Sequence, residues 1–168
     1  EIIGAPLDEV KNDSEVAKRL RVIITSAGNP TPWAEAIGKS GVKWFHVVSS
    51  AYHAKKAEKA GVDAVIASGH EGGGHVAWEP VHTMVLLPEV VRAVKVPVVG
   101  AGGFCDGATF VAALSLGAVG VQMGTRFIAT KESDFIQMWK DHIIKVEERD
   151  SLVVRGLAGP ARALKTKF

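Results

Sequence analysis

Two histidines and a glutamate stand in a run that carries almost no other side chains, Gly69-His70-Glu71-Gly72-Gly73-Gly74-His75. Four of the seven residues are glycine, which folding tolerates where φ is positive or where the backbone must approach something closely. Imidazole is suited to moving a proton near neutral pH, so His75 is the first candidate for catalysis. A hydrogen-bonded structural histidine is the competing reading. The types of His70, Glu71 and His75 also suit zinc, but their spacing matches no helical metal motif. Cys105, the single cysteine, follows a second glycine pair where a helix N-terminus could lower its pKa, although a small buried thiol is the commoner role. His46 and His53 fall in or near a strand and a helix, where partial burial with a satisfied ring is the default.

The elements that must position these residues alternate regularly. The runs 22–26, 43–49, 63–68, 97–103 and 119–125 are short, apolar and rich in β-branched residues, and turn chemistry or glycine ends each. Helical patterns lie between them. Thr31 to Ile37 suggests a helix with a Thr cap and proline at its first position, and 50–60 places Ala51, Ala54, Ala57 and Ala60 on one face before Gly61. Met84–Val94 and Ala108–Leu116 continue the series. Strands apolar enough to be buried on both faces, alternating with helices, imply a parallel sheet with helices outside. Beyond Thr130 the pattern changes to an amphipathic helix over 134–148 and a loop-like tail over 158–165. Residues 1–20 open with a short apolar piece and end in an exposed helix.

Functional groups of parallel α/β arrays collect at the carboxyl ends of the strands, where the βα loops converge. Here those ends read Ala27-Gly28-Asn29, Gly69 to His75, Ala101-Gly102-Gly103 and Gly124-Thr125. In barrels the loops after the last two strands commonly hold a phosphate through backbone N–H donors, and Gly102, Gly103, Gly124 and Thr125 occupy those loops. Tight strand-to-helix packing is the alternative account of the glycines.

Composition narrows the function further. At 168 residues the chain has the length of one domain with a sizeable core. With 47% hydrophobic and 23% charged residues and a net charge of +2, nothing argues for nucleic acid or an anionic membrane as partner, which leaves a small-molecule substrate. No apolar run reaches the roughly 18 residues of a membrane span, the start has no secretory pattern, and a lone cysteine fits a reducing cytosol, so a cytoplasmic location is expected.

The ordered set Thr25-Ser26-Ala27-Gly28-Asn29-Pro30, 60–67, Gly73-Gly74-His75, 97–103, Val121-Gln122-Met123-Gly124-Thr125-Arg126-Phe127 and Pro160-Ala161-Arg162-Ala163-Leu164 resembles the nitronate monooxygenase, or 2-nitropropane dioxygenase-like, family. That family includes the flavin-dependent enoyl-acyl-carrier-protein reductases. The resemblance implies an FMN-binding TIM (β/α)8 barrel in which Gly102, Gly103, Gly124 and Thr125 hold the FMN phosphate, Gly73 and Gly74 pass close to the flavin, and His75 is the active-site histidine. It implies oxidation of alkyl nitronates by flavin and O₂, or, in the reductase branch, NAD(P)H-dependent reduction of an enoyl thioester. Val47 stands where many nitronate monooxygenases have lysine and so leans toward the reductases, as does the 27–30 turn. Ser68 replaces a common Glu or Gln, His70 replaces an apolar residue, and 76–82 is longer and more aromatic than usual.

Only strands resembling the fourth to the eighth of the barrel are present, whereas a closed barrel typically needs about 250 residues. The expectation is a single FMN-binding domain over 1–168, a piece lacking the first three βα units and a C-terminal extension. Its unpaired parallel edges invite association between copies. A noncatalytic flavin- or phosphate-binding remnant is the reading from another class.

Overall fold

The computed structural model describes residues 13–156 and 159–165. Helix α1 (Ser14–Arg19) opens the described chain, with the Asp13 carboxylate accepting from the Glu15 and Val16 amides. The apolar piece expected before it lies outside the described residues.

Five parallel strands then follow in chain order: β1 (Val22–Thr25), β2 (Lys43–Val48), β3 (Ala64–Ser68), β5 (Val98–Ala101) and β6 (Gly120–Gln122). Each pairs with the next along the sheet, so neighbours in sequence are neighbours in space. Helices α2 (Ala34–Gly38), α3 (Ala51–Lys59), α4 (Thr83–Ala93) and α5 (Gly107–Ser115) provide the crossovers between them. An order with no reversal is that of an arc of a barrel, as opposed to a doubly wound sheet. The expected parallel α/β architecture is therefore present.

Strand periodicity decides what each face does. Trp44, Val48, Val65, Ala67 and Val98 turn to the helices and form one core with Ile37, Ala54, Ala57, Leu86, Leu87, Val90 and Ala113. Ile66, of opposite parity, is buried on the other face. The expectation of burial on both faces holds for β3 but not for β1, where Ile24 is 55% exposed because β1 has a neighbour on one side only among the described residues.

Local chemistry sets the ends of the elements. Ser50 caps α3 by accepting from the His53 amide, and Asp106 forms a reciprocal capping box with Thr109 at the start of α5. The Asp63 carboxylate ties the turn before β3 to β2 by accepting from Lys43 Nζ at 2.6 Å and the Trp44 amide at 2.8 Å. The Thr cap expected at residue 31 does not form. Thr31–Trp33 is a short 3-10 turn with Pro30 at its N-cap position and no side-chain cap, and the α-helix begins only at Ala34.

The C-terminal third departs most from expectation. After α6 (Thr125–Ile128), helix α7 is shorter than the amphipathic pattern and runs only over Gln137–Lys145. The tail is not a loop: β7 (Ser151–Gly156) and β8 (Gly159–Leu164) form an antiparallel pair, and β8 also pairs with β4 (Gly74–His75). Ala158, the first residue of the expected loop, lies outside the described residues. Cys105 is exposed, not buried. No helix among the described residues is long and apolar enough to cross a membrane.

Candidate active site at the strand carboxyl ends

A cavity of about 300 Å³ opens at the carboxyl ends of β1, β2 and β3. Its walls are the turn Ser26–Pro30, the β2 end His46–Ser49, the α3 residues Tyr52, His53 and Lys56, Ser68 and Gly69, and His75–Ala77. His75, the catalytic candidate, is exposed and belongs to this lining. The short strand β4 holds it there: Gly74 pairs with Arg162 and His75 with Ala161, and the Val76 amide donates to the Pro160 carbonyl at 3.0 Å. Strand β8 (Gly159–Leu164), more than eighty residues downstream, thus positions the histidine.

The opposite wall hangs on a buried polar relay. Trp44 Nε1 donates to Thr25 Oγ1 at 2.7 Å, and the same hydroxyl lies 2.7 Å from His46 Nδ1. The hydroxyl's other acceptor, the Phe45 carbonyl, is at 3.5 Å, so the hydroxyl is better placed to donate to His46 Nδ1, which accepts in the neutral tautomer protonated on Nε2. Burial holds the His46 pKa below its ordinary value; interaction with the Gly28 backbone pushes it back up, and the positive field of His53 pushes it down. Two residues beyond Thr25, Ala27 adopts φ 57°, followed by Gly28 at φ 110°. A non-glycine residue at positive φ is held there by its surroundings, and the strand end fixed by Thr25 and His46 is the adjacent anchor. His46 has the satisfied, buried ring expected of it. His53 is exposed, with its Nδ1 3.2 Å from Ser49 Oγ, and faces the cavity, which its helical position alone did not reveal.

The other two polar residues of the glycine run have separate employment. The Glu71 carboxylate accepts from the Thr83 amide at 3.0 Å and from the Thr83 hydroxyl at 2.8 Å, and so caps α4, whose own N-cap residue His82 provides no side-chain cap. Burial pushes the Glu71 pKa up, but bonds from its own amide and from Thr83, with His82 nearby, outweigh this and leave it lowered. His82 Nδ1 lies 3.3 Å from Glu71 Oε1. The His70 amide donates to the Val81 carbonyl, its carbonyl accepts from Arg162 Nε at 3.0 Å, its ring lies edge-on to His82, and its Nδ1 is buried without a partner. Burial first, then the positive charges of Arg162 and His82, hold the His70 pKa below its ordinary value. These contacts fasten the loop to α4 on one side and to β8 on the other. His70, Glu71 and His75 therefore serve three different neighbours.

The phosphate-type loops lie against the same glycine run. Gly102 has φ 90°, and a Cβ there would come within 2.8 Å of the Gly69 carbonyl oxygen and 3.1 Å of the Gly72 amide. Its glycine is required by loop packing, the alternative noted for this family of glycines. Gly124 is different, since a Cβ there would meet nothing within 4 Å, and Gly103 would meet only the Glu71 side chain at 3.5 Å. Among the described residues, the amides of Gly102, Gly103, Gly124 and Thr125 donate to no carbonyl. A Cβ on Gly73 would stand 3.3 Å from Thr125 Oγ1, so the histidine loop and the last strand's loop are in contact. Unpaired N–H donors on open glycines suit an anion such as a phosphate. The residues fit the phosphate of a mononucleotide.

Parallel strands in chain order, with a histidine-lined cavity at their carboxyl ends, define an α/β protein of the barrel-arc type. The sequence profile of the family "Nitronate monooxygenase" matches residues 4–168, and the chain belongs to that family. It is 46% identical over 139 residues, 80% of this chain and 39% of the relative, to a (3aS,4S,5R,7aS)-5-hydroxy-7a-methyl-1-oxo-octahydro-1H-indene-4-carboxyl-CoA dehydrogenase of Rhodococcus jostii (strain RHA1). It is 34% identical over 166 residues, 93% of this chain and 47% of the relative, to a probable nitronate monooxygenase of Staphylococcus aureus (strain JH9). The solved structure of FabK from Thermotoga maritima superposes with a TM-score of 0.85 at 44% identity, covering 90% of this chain and 49% of that one. The chain spans less than half the length of these curated relatives.

Proposed function

We propose that the chain is the cofactor-binding and catalytic part of an FMN-dependent oxidoreductase that oxidises alkyl nitronates with O₂ to a carbonyl compound and nitrite. The observation that carries this reading is the continuity of one loop: Gly73 lies against Thr125 of the phosphate-type loops, while His75, two residues on, opens into the cavity. The free amides of Gly103, Gly124 and Thr125, with Gly102, would hold the FMN phosphate, and Gly73 and Gly74 would border the ring. Bound there, the flavin supplies the electron transfer. The protein orients the substrate in the cavity, excludes part of the solvent with the 26–30 turn, and moves a proton through the His75 imidazole.

A second reading, reduction of an enoyl thioester by NAD(P)H through the same flavin, is favoured by Val47 in the cavity wall, where a lysine is common in nitronate oxidation. The relative named for a CoA ester supports it further. The test is run on full-length protein. O₂ uptake driven by propyl-2-nitronate supports the first reading, and NAD(P)H oxidation driven by a crotonyl thioester supports the second. Activity with neither rejects both, and a colourless protein that cannot take up FMN makes the chain a noncatalytic remnant.

A further inference from the structure

The cavity beside His75 is one-sided in charge. Four lining residues carry basic side chains, His46, His53, Lys56 and His75, and none carries a carboxylate. His46 is buried and committed to Thr25, and His75 is the proposed proton carrier. That leaves His53 and Lys56 on α3, separated by three residues and therefore on one face of the helix, with the exposed Tyr52 beside them.

Neither side chain is paired with a carboxylate among the described residues. The only carboxylate of α3, Glu58, accepts from the Lys95 and Val96 amides at 2.6 and 3.2 Å, which turns it toward the start of β5. Among the described residues Lys56 bonds to no acid, and Lys55 and Lys59 add further positive charge to the same helix. His53 uses Nδ1 toward Ser49, which leaves Nε2 for a ligand. A concave wall of one sign concentrates ligands of the other sign.

We infer that the α3 wall, His53 and Lys56 with Tyr52, is a subsite for an anionic group, a carboxylate or a phosphate, that the substrate carries away from its reacting carbon. The inference rests on the proposed function for the word substrate, but the wall itself does not depend on which redox reaction occurs. It assigns Lys56 to specificity and not to chemistry.

The experiment compares kcat/KM ratios in full-length holoenzyme. One ratio sets a nitronate with a terminal carboxylate against a plain alkyl nitronate, and the other sets crotonyl-CoA against crotonyl-N-acetylcysteamine. Lys56→Gln should lower at least one ratio about tenfold, the size expected for loss of a charge-assisted hydrogen bond. The ratio that falls distinguishes carboxylate from phosphate. Lys55→Gln, which removes the same charge outside the cavity, should leave both ratios as they are. Unchanged ratios in Lys56→Gln, or an equal fall in Lys55→Gln, overturn the inference. Should the holoenzyme turn over neither substrate class, the proposed activity fails while the subsite stays measurable. Titration with inorganic phosphate or acetate should shift the His53 ring resonances saturably, and about tenfold more weakly in Lys56→Gln. Absence of saturation with both anions overturns it.

Discussion

The Thr25 hydroxyl lies 2.7 Å from His46 Nδ1, and both residues are buried, at 8% and 5% exposure. This bond joins the helix-side core, through Trp44, to the turn that forms one wall of the cavity. Thr25→Val keeps the shape of the side chain but leaves Trp44 Nε1 and His46 Nδ1 unpartnered in the interior. The expected loss is about 1–3 kcal/mol in urea unfolding, the cost of buried polar groups without partners. A change below about 0.5 kcal/mol would mean that the relay contributes little.

The same histidine makes stability depend on pH. The folded pKa values of His46 and His70 lie below the ordinary value of about 6.5, so the unfolded chain binds protons more readily than the folded one. Their contribution is complete above about pH 6.5 and is lost progressively as the pH falls below it, until the folded pKa values are reached. Urea midpoints should therefore fall between pH 7.5 and pH 5.5. His70→Leu should flatten that fall, because its buried Nδ1 has no partner to lose. An unaltered slope in that variant would contradict the assignment.

Glu71 acts in the same sense at lower pH. Its lowered pKa means that the charged carboxylate stabilises the fold above its unfolded value, and the contribution disappears as acid titrates it in the folded state. Glu71→Ala removes the cap of α4 and the tie between the glycine loop and that helix. The expected cost is about 1 kcal/mol, that of a lost N-cap, measured by thermal unfolding at neutral pH.

Two glycines of the phosphate-type loops separate packing from binding. Gly102→Ala places a Cβ 2.8 Å from the Gly69 oxygen at φ 90°, so it should destabilise the apoprotein itself by about 1–3 kcal/mol. Gly124→Ala meets open space at φ −106° and should leave the apoprotein's unfolding midpoint in place while weakening FMN binding. Flavin fluorescence titration on both variants checks the distinction, and equal effects on stability would remove it.

The parallel sheet was legible in the sequence because its signals are local. Short β-branched runs, glycine at strand ends and alanine at helical spacing all act over a few residues, and the five strands and their order follow from them. What escaped depends on distant partners. Gly159-Pro160-Ala161-Arg162 lacks strand alternation, and it becomes β8 only because β7 and β4 supply the pairing. That hairpin also sets His75, so the residue was identifiable as a candidate while its support was not. The Thr31 cap failed because Pro30 can occupy the cap position of a 3-10 turn. Glu71 as the cap of α4 was hidden by the twelve positions that separate it from Thr83. His53 and Lys56 became cavity residues only once α3 was laid beside the 26–30 turn; their spacing already put them on one face, but nothing local said which face.

The central claim is that His75 serves the chemistry while the glycine loops hold the cofactor. The direct measurement is steady-state turnover of propyl-2-nitronate and of a crotonyl thioester by full-length His75→Ala, alongside its flavin absorption spectrum. The account predicts a protein that still binds FMN and loses about 10²–10⁴-fold in kcat/KM, the usual contribution of a positioned acid–base group. A yellow His75→Ala protein with wild-type turnover would contradict it.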